Sequence, residues 1–260
     1  MSDYLRLRQI CLVAPDLEPA VDTIRDVFGV DVCFRDGNVG KYGLVNALFV
    51  FGHAFLEIVA PTREGTAAGR FLERSGGRGG YMAIFDCNDP RRRREIAERM
   101  GVRIAHVLDY PGYFGIQLHP RDGRATMLEF DHTEGGEPLT GAYHPAGPQW
   151  QPFQRLDKVL GIPTIDVASP DPLDLARHWA TLMDRELDDG QVGAPRLQFE
   201  LGAARFTPLP AGEAERLDAM HVALPDPATV LDAARRRGLD VADGRFSLYG
   251  VDVVPEPPVR

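Results

Sequence analysis

Two acidic residues stand almost alone in apolar company. One is Glu57, in Ala54-Phe55-Leu56-Glu57-Ile58-Val59-Ala60-Pro61; the other is Glu129, in Ala125-Thr126-Met127-Leu128-Glu129-Phe130-Asp131. A bare carboxylate is costly to take out of water, so each needs a partner or a task. The partner could be an arginine on a neighbouring strand, Arg8 or Arg103 for instance. The task could be proton transfer or the holding of a cation. Recurrence in the same local setting favours a shared cavity over two unrelated ion pairs. His119, followed by Pro120 at a strand end, is an acid/base candidate or a third cation ligand, although a lone histidine there is more often a turn residue. His106 could line the cavity or sit outside it, while His53 and His132 are expected to be exposed. Tyr110, Tyr113 and Phe114, interleaved with Pro111 and Gly112, could wall an apolar ligand pocket or simply fill the core. Arg91 to Arg94 fall in the first turns of a helix, where the dipole disfavours them. An anionic tail could use them, but a solvated face is the simpler reading.

The elements that must position these groups form a repeat. Residues 5–13 alternate and then turn apolar, as a strand does on entering a core. Asp16 caps a helix whose apolar face is Leu17, Val21, Ile24, Val27 and Phe28, and Gly29 ends it. Strands follow at 30–34, 43–51 and 54–60, the last two joined by a Gly52-His53 hairpin turn. The same β-α-β-β-β order starts again at Gly80, with Asp89-Pro90 as cap and first helical residue, Gly101 as the stop, and strands near 103–107, 113–119 and 125–131. Asp16 to Asp89 is 73 residues and Glu57 to Glu129 is 72, so a whole supersecondary unit is repeated at nearly constant length. Residues 133–152 carry four Gly and four Pro without apolar period, which reads as a linker or a strap over the surface. A third unit starts at Ile162 with the cap Asp171-Pro172, and a fourth at Ala219 with Asp226-Pro227. Both look shorter, and neither keeps the Leu-Glu strand. The fold class expected is α+β, with four βαβββ modules in tandem forming two cup-shaped half-barrel domains. Residues 1–132 form the first domain, 133–158 the linker and 159–260 a second, degenerate domain.

The totals narrow the class further. Lys and Arg number 29 against 38 Asp and Glu, a formal charge of −9 that argues against nucleic acid or an anionic membrane surface as partner. Neither an apolar run of membrane-spanning length nor the apolar core of a signal peptide is seen. Cys11, Cys33 and Cys87 lack metal-binding spacing and are too few for a disulfide framework. A cytoplasmic protein with reduced thiols is expected.

The stretches Arg8-Gln9-Ile10-Cys11-Leu12-Val13-Ala14-Pro15-Asp16-Leu17-Glu18 and Phe55-Leu56-Glu57-Ile58 resemble the vicinal oxygen chelate superfamily. So do their second copies, Tyr81-Met82-Ala83-Ile84 through Asp89 and Met127-Leu128-Glu129-Phe130. That superfamily includes glyoxalases, bleomycin-resistance proteins, methylmalonyl-CoA epimerases and extradiol dioxygenases. The resemblance implies metal ligands on the first and last strand of each module. Carried over, these positions are Gln9, Glu57 and Glu129, with Met82 where histidine is usual. Thioether sulfur is a poor ligand for hard divalent ions. The equivalent first-strand positions of the later modules are Thr164 and Ala219, and His221 lies two residues out of register.

Two functions follow from the resemblance. In the first, an enzyme holds Mg²⁺ or Mn²⁺ through Gln9, Glu57, Glu129 and water, and performs isomerase or lyase chemistry on a small substrate, with Glu129 or His119 moving the proton. Ring-cleaving dioxygenase chemistry is disfavoured, since that site needs two histidines. In the second, a metal-free protein sequesters a small molecule as bleomycin-resistance proteins do. Met82, Tyr113 and Phe114 are then pocket walls, and the acids meet a basic or hydroxylated ligand. A small-molecule ligand is the partner expected in either case, with a homodimer as the candidate assembly.

Overall fold

The computed structural model describes residues 3–191 and 193–258. The first module is β1 (Leu5–Val13), α1 (Leu17–Phe28), β2 (Val32–Phe34), β3 (Leu44–Phe51) and β4 (Ala54–Pro61), followed by a short helix α2 (Ala67–Arg74) that the sequence pattern did not announce. The second is β5 (Gly80–Cys87), α3 (Pro90–Arg99), β6 (Ile104–Tyr110), β7 (Tyr113–Leu118), the single turn α4 (Pro120–Gly123) and β8 (Met127–Thr133). The third is β9 (Gly161–Ser169), α5 (Pro172–Met183), β10 (Arg196–Gln198) and β11 (Ala203–Pro208). The fourth is β12 (Arg216–Ala223), α6 (Pro227–Arg236), β13 (Val241–Ala242), β14 (Arg245–Leu248) and β15 (Val251–Glu256). The chain is therefore α+β and built from tandem modules.

One pairing rule holds in all four modules: the first strand lies parallel to the last, and the strands between are antiparallel. The orders are β2-β3-β4-β1, β5-β8-β7-β6, β10-β11-β9 and β12-β15-β14-β13. A parallel pair cannot be closed by a tight turn, so the helix of each module serves as the crossover. The fourth module keeps three strands after its helix, yet it runs only from Arg216 to Glu256 and is shorter than the first two, as expected. The third keeps two regular ones, and an isolated bridge Asp188–Arg196 stands in for the missing strand.

The caps explain the helix starts. Asp89, Asp171 and Asp226 each accept a hydrogen bond from a backbone N–H of the first turn, with proline at the first helical position. Asp16 sits in the cap position of α1 but makes no such side-chain bond. Arg93 corrects the reading of Arg91 to Arg94 as a solvated face. It is 1% exposed and turned toward Asp3 and Asp184, while Arg94 pairs with Glu98 on the surface.

Contacts divide the chain into two compact units, neither of which is continuous in sequence. One holds residues 1–8, 82–142 and 164–218; the other holds 9–81, 143–163 and 219–260. Inside the second unit, Phe28 of α1 packs edge-on against Phe51 of β3, so α1 covers the sheet face bearing Phe49 and Phe51. Inside the first, the Arg91 guanidinium of α3 lies 3.8 Å over the Phe114 ring, so α3 covers the face bearing Phe114 and Ile116. The opposite, helix-free faces carry the polar residues singled out above. No helix among the described residues is long and apolar enough to cross a membrane.

Candidate functional site

Strand register decides which side chains share a face. In the first module Cys11 lies opposite Glu57 and Gln9 opposite Phe55 across the parallel β1–β4 pair, while Leu48 of β3 lies opposite Glu57 on the other side. Alternation then puts Gln9, Cys11, Glu57, Asn46, Leu48, Val50 and Phe55 on the helix-free face. Glu57 is buried, and both its oxygens are engaged: Gln9 Nε2 donates to Oε2 at 2.8 Å and Asn46 Nδ2 donates to Oε1 at 2.7 Å. The Cys11 thiol donates to the same carboxylate. Burial pushes the Glu57 carboxyl above its ordinary range, and the three donors pull it partly back. Among the described residues, two side-chain amides and a thiol supply this acid's hydrogen bonds, and no arginine does.

The region expected to be a linker or a strap over the surface is exposed along much of its length, but three of its side chains plug the first module's helix-free face. Tyr143, Ala146 and Trp150 are each 1% exposed, and they join Leu48, Val50 and Phe55 in one apolar cluster. The Tyr143 ring stacks on Phe55 at 4.8 Å, and Trp150 meets Phe55 edge-on at 5.2 Å. The Tyr143 hydroxyl donates to Gln9 Oε1 at 3.1 Å. Gln154 Nε2 holds the end of the plug by donating to the Gly52 carbonyl, and lies 3.4 Å from His53 Nδ1. His53 is thus half-buried rather than exposed.

The second module's helix-free face differs. Register puts Met82, Ile84 and Asp86 of β5 with Met127, Glu129 and Asp131 of β8 and with Tyr113 and Gln117 of β7. Glu129 accepts from the Tyr113 hydroxyl at 2.9 Å and from Gln117 Nε2 at 2.8 Å. The same hydroxyl lies 3.3 Å from Asp131 Oδ2, while Asp131 Oδ1, wholly buried, has no hydrogen-bond partner among the described residues. Burial, and then the neighbouring Glu129 and Asp86 carboxylates, hold Asp131 well above the carboxylate range. Tyr113 and Arg8 pull the other way. Asp86 is also raised, by burial, against the pull of Arg8, Arg6 and His132. Arg6 pairs with Asp86 at 3.4 Å and Glu200 at 2.8 Å and donates to the carbonyls of Gly136 and Glu137; Arg8 donates to that of Leu139. Three buried acids thus lie among two guanidiniums. A proton kept on Asp131 balances the group.

The remaining candidates fall as follows. Phe114 faces the helix side under Arg91, so it does not share Tyr113's face; successive strand residues point opposite ways. Met82 is buried on Glu129's face. His119 accepts from the backbone N–H of Arg121 at 3.3 Å and lies 3.1 Å from Arg103, so it caps α4. Arg103 is taken by Asp122, not by either glutamate. His132 lies 3.2 Å from the Tyr4 hydroxyl and is half-buried. Asp131, Asp86 and Arg6 lie outside the residues that the sequence pattern points to. The offset from Glu57 to Glu129 maps Asp131 onto Val59, and the cap offset maps Asp86 onto Val13, so the acids are changes between copies.

The donor set does not fit a divalent cation. Gln9 presents its N–H to Glu57, and its carbonyl oxygen, the atom that would ligate, accepts from Tyr143. Both oxygens of Glu129 also accept hydrogen bonds, and among the described residues no group of three or more His, Cys, Asp or Glu side chains is arranged to hold a metal. Cys11, Cys33 and Cys87 are free thiols.

Residues 10–183 match the family model of a glyoxalase-like domain. A solved structure described as a hypothetical protein from Staphylococcus aureus aligns over 98% of this chain and 99% of its own, with a TM-score of 0.66 and 13% identity, a likeness of fold. A Streptomyces coelicolor methylmalonyl-CoA epimerase in complex with 2-nitronate-propionyl-CoA aligns with 50% of this chain and 98% of its own, at 22% identity and a TM-score of 0.45. The Mycobacterium tuberculosis methylmalonyl-CoA epimerase aligns with 50% of this chain and 87% of its own, at 19% identity and a TM-score of 0.43. No curated protein matches the chain by sequence.

Proposed function

The chain belongs to the glyoxalase-like domain family, and from that premise we propose that it acts on a small molecule at the second module's helix-free face, by proton transfer of the isomerase type and without a metal. The observation that carries this reading is the pair Glu129 and Asp131. They lie two residues apart on one strand face, share the Tyr113 hydroxyl, and differ in environment, with one oxygen of Asp131 left unpaired. Titratable neighbours whose surroundings push their affinities for protons apart are suited to opposite roles. Glu129, accepting from Tyr113 and Gln117, is the base that takes a proton from a carbon next to a carbonyl. Asp131 in its neutral form, with Tyr113, donates hydrogen bonds to the enolate oxygen that results. Return of the proton from Glu129, once the planar enolate has turned over in the site, completes an isomerisation. Met82 and Met127 supply adaptable apolar wall.

The test is hydrogen exchange. The protein is incubated in D₂O with a panel of small thioesters, hydroxyketones and keto acids, and deuterium at the acidic carbon is followed by NMR. Exchange that is abolished by Glu129→Gln and reduced by Asp131→Asn is the expected result. Binding of a panel member without exchange would favour the sequestering function instead, a reading that the deep burial of the face supports. Exchange that is lost on chelation and restored by Mn²⁺ would overturn the metal-free assignment.

A further inference from the structure

The first module carries the positions expected of a cation site, yet its donors and acceptors already satisfy one another. A carboxylate only accepts, so Gln9 must turn its NH₂ toward Glu57, and its carbonyl oxygen is thereby aimed the other way. At that oxygen sits the Tyr143 hydroxyl, 3.1 Å away, on a ring stacked against Phe55 and fenced by Trp150. Asn46 occupies the second oxygen of Glu57, and its own carbonyl oxygen accepts from the backbone N–H of Asp36 at 2.8 Å. The chain of bonds runs in one sense: phenol to amide, amide to carboxylate. To hold a cation, Gln9 would have to reverse its amide, giving up the bonds to both Glu57 and Tyr143.

We propose that Gln9, Glu57 and Asn46 form a docking site for a phenol, that its occupant is Tyr143 of this same chain, and that this internal aromatic, not a metal ion, is what the first module's helix-free face holds. The site is built for a planar ring bearing a hydroxyl donor: Phe55 supplies the stacking platform, Trp150 the edge and Gln9 the acceptor. It also explains how a segment rich in Gly and Pro, without periodicity and largely exposed, is held in place. The segment is fastened at Tyr143 by a polar contact and at Trp150 by an apolar one. None of these residues belongs to the Glu129 face, so this inference stands or falls apart from the proposed reaction.

The test uses the full chain, with Mn²⁺ as the probe. Thermal unfolding is measured in EDTA and in excess MnCl₂, and Mn²⁺ binding is read from the electron paramagnetic resonance signal of the free ion. The expected results are an unchanged Tm in Mn²⁺, an undiminished Mn²⁺ signal, and a Tm lowered by Tyr143→Phe, which removes only the hydroxyl. Gln9→Glu should lower Tm in EDTA, because two carboxylates then face each other. At a cation site the same substitution would add a ligand and tighten Mn²⁺ binding. One equivalent of Mn²⁺ bound by the wild type and lost in Glu57→Ala overturns the proposal. An unchanged Tm in Tyr143→Phe does so independently, and that variant keeps the test decisive if Gln9→Glu fails to fold.

Discussion

Replacing Asp131 by asparagine should make the protein less sensitive to rising pH, and the size of the effect follows from the site. The folded state holds the Asp131 proton more tightly than the unfolded chain does, because burial and the Glu129 and Asp86 carboxylates disfavour its charge. The unfolded chain releases this proton near the ordinary aspartate value of about 3.9, the folded protein only at higher pH. Between those two points the native state binds the extra proton, so stability falls as pH rises, by about 1.4 kcal/mol per pH unit for one group. Below the unfolded value both states are protonated, and the stabilisation is fully present. Asparagine has nothing to titrate and mimics the neutral acid: its carbonyl can accept from Tyr113, and its NH₂ takes the place of the unpaired oxygen. Asp86 and Glu57 also carry raised values, so the wild-type slope contains several protons. The informative quantity is therefore the difference between wild type and Asp131→Asn. Urea unfolding, followed by tryptophan fluorescence from about pH 4 to about pH 8, should show that difference growing in favour of the variant with a slope near one proton. A difference independent of pH would mean that Asp131 is ionised in the fold and paired with arginine, which would remove the neutral acid from the proposed reaction.

Four further perturbations probe the scaffold. Trp150→Ala should cost about 3–5 kcal/mol in urea unfolding, the usual range for a fully buried aromatic; a loss below about 1 kcal/mol would mean that the plug is only loosely seated. Gly52→Ala should destabilise by more than about 2 kcal/mol, since the residue has φ of 63° and a Cβ there would run into the Leu160 carbonyl; wild-type Tm would refute that geometry. Arg94→Ala should change stability by less than about 0.5 kcal/mol, as an exposed i,i+4 pair allows. Arg93→Met should fold at least as stably as wild type, because Nε and Nη1 of Arg93 are buried without hydrogen-bond partners, and a fall in Tm would show that its contacts to Asp3 and Asp184 matter more than its desolvation.

The fold was legible in the sequence because its signals are local. Asp-Pro caps, glycine stops and strand alternation recur at fixed offsets, and three of the four predicted caps form as expected. Glu57 and Glu129 were legible as buried acids for the same reason. What satisfies them was not, since Asn46, Gln117 and Tyr113 reach them across strands, and register is set by packing rather than by spacing. The burial of Tyr143, Ala146 and Trp150 was illegible on principle. Periodicity finds helices and strands, and a plug without periodicity announces itself only through Tyr143 and Trp150, which look like any two aromatics in a loop. Tyr113 and Phe114 were grouped by adjacency, whereas the pleat separates neighbours onto opposite faces.

The two N-terminal modules show how one scaffold diverges at few positions. The parallel pair Val13–Val59 in the first module becomes Asp86–Asp131 in the second, at the same step of the same ladder. Likewise Cys11–Glu57 corresponds to Ile84–Glu129, and Gln9–Phe55 to Met82–Met127. With valines beside it, Glu57 has no acidic neighbour on those strands and can be satisfied by amides, and apolar aromatics can close over the face. With aspartates beside it, Glu129 belongs to a charged group that needs Arg6, Arg8 and backbone carbonyls around it, and in which a proton is retained. An apolar plug cannot cover such a face without stranding charge. The change from valine to aspartate therefore goes with buried guanidiniums, and it sets the second module's face, where the proton transfer is proposed, apart from the first. Removing the aspartates alone would take Asp86 from Arg6, leaving it Glu200 and the carbonyls of Gly136 and Glu137, so the buried guanidiniums would lose part of their compensating charge.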